Sequence, residues 1–98
     1  MAASLSDLFD GAQTADGASA AQAISAGDWM LVVQGTLDGA KVNISGNVFD
    51  SNYDHIDGGL IVDNPGFRVF RFCAGNVKAH VSNAGSSTSV KVGILPAQ

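Results

Sequence analysis

WMLVVQGTLDGAKVNIS, residues 29–45, holds two apolar runs joined by a glycine-bounded connection. In an extended chain Trp29, Leu31 and Val33 fall on one side and Met30, Val32 and Gln34 on the other. Gly35-Thr36-Leu37-Asp38-Gly39 turns the chain, after which Val42 and Ile44 face one way and Lys41, Asn43 and Ser45 the other. Alternation of β-branched and aromatic residues on both sides of an Asp-Gly pair predicts a β-hairpin.

Toward the C-terminus the same grammar repeats. GNVFDSNYDHIDGG, residues 46–59, is the longest polar stretch. Val48 and Phe49 extend or cap the second strand, and Asp50-Ser51-Asn52 turns. Tyr53, His55 and Asp57 then alternate with Asp54 and Ile56 in a short strand, before Asp57-Gly58-Gly59 turns again. Leu60-Ile61-Val62 is a short apolar strand ended by Asp63-Asn64-Pro65-Gly66, where Pro presets φ and Gly accepts a positive φ. FRVFRF, residues 67–72, is apolar on both sides: Phe67 and Val69 share one with Arg71, Phe70 and Phe72 the other with Arg68. Such a strand is either central in a sandwich or at a subunit contact. Val77, Ala79 and Val81 alternate with Lys78, His80 and Ser82. After the polar loop at 83–87, Val90, Val92 and Ile94 alternate with Lys91 and Gly93.

Toward the N-terminus, residues 18–25 lie between Gly17 and Gly27 at strand length; their alanines also suit a helix, and the bracket favours a strand. Residues 11–17 are small and polar and read as a linker. Before them, Ser4 or Ser6 can cap one helical turn with Leu5, Leu8 and Phe9 on a common face. The expected organisation is an arm and linker at 1–18 and a β-sandwich at 19–98. The arm is either a frayed end or a segment that docks on a neighbour. About seven or eight short strands with regular turn signals predict an all-β fold, an antiparallel β-sandwich, Ig-like or jelly-roll-like. Its expected core is Trp29, Leu31, Val33, Val42, Ile44, Val69, Val77, Val81, Val90, Val92 and Ile94.

A chain of 98 residues is one domain. Its hydrophobic fraction of 46% is rich in alanine, so the core is thin and burial against further copies would add stability. The net charge is −4 with only five Lys and Arg, and no basic stripe is visible, which argues against nucleic acid as a partner. The nine acids are all Asp, suited to turns. The single Cys73 cannot form an internal disulfide and reads as a small buried residue. No basic segment followed by an apolar run marks a signal peptide, and no stretch reaches the ~20 apolar residues of a membrane helix. No membrane association is expected, and the chain is expected to act where it is made or to leave within a particle.

Asp50, Asn52, Asp54 and Asp57 form the one ligand-like cluster. From Asp50, the first, third and fifth positions of a calcium loop fit. The sixth is His55 instead of Gly and the twelfth is Ile61 instead of an acid, so an EF-hand fails. The set is left as an irregular calcium candidate, against the expectation of solvated turn residues, no metal and no cofactor. His55 and His80 lack any nucleophile elbow and read as surface residues, and no phosphate loop occurs. No catalytic residues are expected.

The pieces laid out above resemble a group of small bacteriophage virion proteins. The shared pattern is an apolar strand (residues 29–33), then Gly35-Thr36-Leu37-Asp38-Gly39-Ala40-Lys41-Val42, a polar Asp/Gly stretch (50–59), a late strand (77–81) and Gly85-Ser86-Ser87-Thr88-Ser89-Val90. Lys78 stands where an Arg is usual, and no proline precedes the late strand. The resemblance implies a structural protein of a phage particle: a capsid decoration (cement) protein on the capsid surface, or a head or tail accessory protein, made in the host cytoplasm. Its partners would be the major capsid protein or neighbouring virion subunits, and its oligomer a homotrimer. Leu5, Leu8, Phe9, Phe67, Phe70 and Phe72 are then the expected capsid or subunit contacts. The other class of function is a carbohydrate- or surface-binding β-module using Trp29, Tyr53 and the acidic loop.

Overall fold

A computed structural model describes residues 6–9, 11–48, 52–62 and 64–97. Among the residues singled out above, Ser4, Leu5, Phe49, Asp50, Ser51 and Asp63 lie outside it. The described elements are all strands: β1 Ser6–Asp7, β2 Gly17–Ala18, β3 Gln22–Ile24, β4 Gly27–Thr36, β5 Lys41–Asn47, β6 Asp54–Ile61, β7 Gly66–Phe72, β8 Gly75–Ser82 and β9 Ser89–Pro96. Their antiparallel pairings are nested. β5 pairs β6, β4 pairs β7, β2 and β3 pair β8, and β1 pairs β9. Wrapping that long hairpin around itself adds β4 to β9 and β5 to β8. The result is two packed sheets, β1-β9-β4-β7 and β2-β8-β5-β6, which is jelly-roll topology. The fold class is therefore an antiparallel β-sandwich.

Alternation supplies the core. Leu31 and Val33 of β4, Phe70 of β7 and Val90, Val92 and Ile94 of β9 point in from the first sheet. Val42 and Ile44 of β5, Ile56 and Ile61 of β6 and Val77, Ala79 and Val81 of β8 meet them from the second. Phe72 crosses toward the second sheet, where glycines admit it: a Cβ on Gly46 would overlap its ring, and one on Gly75 would stand 3.2 Å from it.

Several sequence expectations change. Asp38 and Gly39 do make the expected turn, both at positive φ (49° and 84°), closed by Ala40 N–H donating to Leu37 O at 3.0 Å. The flanking strands are not a hairpin, however. β4 and β5 belong to different sheets, because each must turn its apolar face inward and the two faces oppose each other across the core. The turn expected at Asp57-Gly58-Gly59 is instead a bulge within β6. Between the pairs Asn43↔Leu60 and Ser45↔His55 the register shifts, and Gly58 (φ +89°) lies so close to β7 that a Cβ would sit 2.9 Å from Val69 O.

The faces of β7 are also assigned differently. Register sets Trp29 beside Phe70 and Met30 beside Val69, so the Phe70 side shares the inner face of β4. Val69, expected inside, is 54% exposed. Trp29 is only partly buried at the end of the sandwich, its indole N–H donating to Ser25 O at 2.9 Å. Cys73, expected buried, is exposed in the bend after β7.

The N-terminal stretch is likewise no detached arm. Ser6 and Asp7 are strand, not a helical turn, and pair Ile94 and Gly93. Leu8 N–H donates to Val92 O at 2.9 Å, and Gln13 exchanges both backbone bonds with Val90. This track covers the outer edge of β9 and carries Leu8 and Phe9 into the core, because an uncovered edge leaves backbone groups unpaired. The supposed linker continues into β2. Ser19 then bridges the offset before β3: its N–H donates to Ala79 O, and its hydroxyl accepts from Ala79 N–H at 2.9 Å.

Candidate functional site

The outer faces of the two sheets have opposite chemistry. On the first sheet, cross-strand register lays the outward side chains on a grid. One level holds Leu95, Met30 and Val69, from β9, β4 and β7; the next holds Gly93, Val32 and Phe67. Phe67 and Val69 are each 54% exposed, with Met30, Val32 and Leu95 half-buried beside them. Beyond one end Arg71 Nε donates to Asp28 Oδ1 at 2.7 Å, a cross-strand ion pair that holds the Asp28 carboxyl below its usual range. Beyond the other lie Lys91 and Gln34, with Asp7 beside Gly93. An ordinary solvated sheet face alternates apolar-in with polar-out. Here a block of apolar side chains faces outward between two polar ends.

The second sheet follows the ordinary rule apart from Leu60, 43% exposed beside Asn43. Its outer face carries Lys41, Asn43, Ser45 and Asn47 on β5 against Ser82, His80, Lys78 and Asn76 on β8. Ser45 Oγ and His80 Nε2 lie 2.6 Å apart, and Asn43 and His55 contact at 3.4 Å. Burial, then the Lys78 charge, lowers the His80 pKa below its usual 6.5. His80 was read as a surface histidine; it is half-buried, with Ser45 diagonal to it on the neighbouring strand of the same face. The pair does not supply a reachable nucleophile, since Ser45 is only 3% exposed. Lys78 Nζ stands 4.6 Å from the centre of the Tyr53 ring, a cation–π contact that engages the aromatic expected to be free for sugar.

A cleft of about 420 Å³ opens at the end of β5, lined by Gly46, Asn47, Val48, Asn52, Asp54, His55, Ile56 and Phe72. Asn47 donates to Asn52 O at 2.8 Å along its rim. Its aromatic wall is Phe72; neither Trp29 nor Tyr53 lines it.

The expected contact residues separate accordingly. Phe67 is exposed on the apolar grid. Leu8, Phe9 and Phe70 are buried in the core, so their side chains present nothing to a partner, and Phe72 is partly buried against the core. Leu5 lies outside the described residues. Of the calcium candidates, Asn52, Asp54 and Asp57 are exposed and Asp50 is not described. Among the described residues no three His, Cys, Asp or Glu side chains gather as a metal site. Nor does any helix there have the length and apolarity to cross a membrane.

The opposite end of the sandwich joins two of the five stretches that carry the phage resemblance, residues 35–42 and 85–90. Thr88, 3% exposed, donates to Leu37 O at 2.7 Å and accepts from Gly85 N–H at 2.9 Å. Ser87 N–H donates to the Asp38 carboxylate and Asn83 to Gly39 O. Their spacing therefore serves to lock two loops together. What sequence reasoning missed is the grid itself. Its signal was present in Met30 and Val32, which share the side opposite Trp29, Leu31 and Val33 although neither is polar. No protein-family model, curated protein or solved structure matches this chain.

Proposed function

We propose that this chain is a structural protein of a bacteriophage particle, a capsid decoration (cement) protein that binds the capsid surface and stabilises the shell. The observation that carries the reading is the apolar outer face of the first sheet. Contiguous exposed apolar surface on a small domain marks a place of association. Jelly rolls build viral capsid and lectin domains alike, so the topology supports an adhesive role. The partners are the major capsid protein and neighbouring virion subunits, and the working location is the capsid surface after synthesis in the host cytoplasm. No step of chemistry is assigned to the chain.

A second reading, a carbohydrate-binding module, is favoured by the cleft, where the Phe72 ring stands near Asp54, Asn47 and His55. An apolar wall beside convergent polar groups is how compact ligand sites are built. Co-sedimentation distinguishes the two. Purified protein is mixed with empty shells assembled from the coat protein of the same phage genome. Saturable pelleting is expected. Protein that stays in the supernatant at every shell concentration, yet is retained on an immobilised polysaccharide, would replace the first reading with the second.

A further inference from the structure

We propose that the apolar outer face of the first sheet is self-complementary and pairs with the same face of a second copy of this chain about a twofold axis. The proposal rests on reading that face as an association surface and names its first occupant. The argument is the pattern of large and small residues on the grid. Consider an axis lying in the interface, running across the strands between the two apolar levels. Rotation about it sets each strand over its own copy and each level over the other. Leu95 then lies over Gly93 of the second copy, which has no side chain and is already covered by its neighbours within its own chain. Met30 lies over Val32, and Phe67 over Val69, and each contact occurs twice by symmetry. Every larger side chain meets a smaller one.

The charges fit the same operation. Lys91, beyond one end of the block, comes diagonally opposite Asp28 of the second copy, beyond the other. Arg71 already neutralises Asp28 within each chain, and Asp7 and Lys91 line one hollow at the margin of the face, so charges of both signs stand together there. Pairing through the strand edge is not available in the same way. At β7 the glycine bulge of β6 approaches Val69 O, and at β9 Ser6, Asp7, Leu8 and Gln13 pair along the edge. The face is what remains open.

Its size sets the strength. Three strands and four levels cover roughly 14 by 27 Å, about 380 Å² in plan. A standard interface takes about 800 Å² from each partner, so side-chain relief still leaves this one small. The dimer is therefore weak and concentration-dependent, so that a shell can displace the second copy from the face. The resemblance implies a trimer; an isologous face closes at two subunits.

The test is the mass of the full chain by sedimentation equilibrium, from about 1 μM to about 1 mM, the range in which weak interfaces fill. Twice the chain mass of 10.0 kDa is expected at the upper end. Val69→Asp and Phe67→Asp are each expected to weaken association at least about tenfold, because they set a charge against an apolar face. Leu60→Asp, at an apolar residue 43% exposed on the other sheet, is expected to leave it unchanged. A far-UV spectrum and a cooperative melt establish that each variant is folded. An equimolar mixture of Phe67→Cys, Cys73→Ser chains and Val69→Cys, Cys73→Ser chains is expected to cross-link 67 to 69 between chains with a short bismaleimide, whose span suits facing sheets, and this reports the axis even if the Asp variants fail to fold. A monomer at all concentrations, a trimer, or a Val69→Asp dimer of unchanged affinity would overturn the proposal. Failure to pellet with shells would leave this result standing, so the two readings fail separately.

Discussion

His80 illustrates how a position that looks polar in sequence acquires a consequence in the fold. Its imidazole is half-buried against Ser45, 2.6 Å away, with Lys78 on the same strand face. Burial and then the lysine charge lower its pKa, so the folded state favours neutral imidazole. The unfolded chain binds the proton more readily, near the usual 6.5. The resulting contribution to stability is fully present above that value and is lost as pH falls through the lowered folded value. The urea midpoint is therefore expected to drop between about pH 7 and pH 5 in the wild type, and to drop less in His80→Gln. An equal slope in the two proteins would show that His80 is not the group responsible. None of this was legible in the sequence, since the alternation of Lys78, His80 and Ser82 identifies an outward face but not the buried hydroxyl that the register of β5 with β8 sets beside it.

Among the elements, the long strands were legible because alternation over several residues leaves only one face for the core. Nine of the eleven residues expected inside are buried; Trp29 and Val69 are the exceptions. Val69 failed because β7 is apolar on both sides and only its register with β4 selects one. The Asp38-Gly39 turn was legible from its dipeptide, but a turn constrains a few residues and says nothing about which sheet receives the next strand. Short strands carry too few residues to alternate, so β1 gave no signal, and Leu8 and Phe9 looked free. Their burial reverses the expectation for the N-terminus. Phe9→Ala is expected to destabilise the domain by about 3–5 kcal/mol, the cost of emptying an aromatic core position. Deleting residues 1–9 is expected to cost at least as much, instead of leaving the sandwich intact. Urea unfolding of both proteins checks this. A midpoint unchanged in either would return the segment to the role of a loose arm.

At the scale of the whole molecule, the nested hairpin produces a thin two-layer body with a polar outer face on one sheet and an apolar one on the other. That asymmetry joins sequence to proposed function. The fold class was accessible from the period of the strands, whereas the apolar face needed the register of β9, β4 and β7 to bring Leu95, Met30, Val32, Val69 and Phe67 together. A cement protein acts by adding contacts to a shell that already exists, and whatever binds only the folded shell raises its stability by mass action. Scanning calorimetry of empty shells with and without saturating protein measures this directly. The shell transition is expected to move up by several degrees with the wild-type chain and by less with Val69→Asp. A transition that stays in place at saturation would contradict a stabilising role on the capsid.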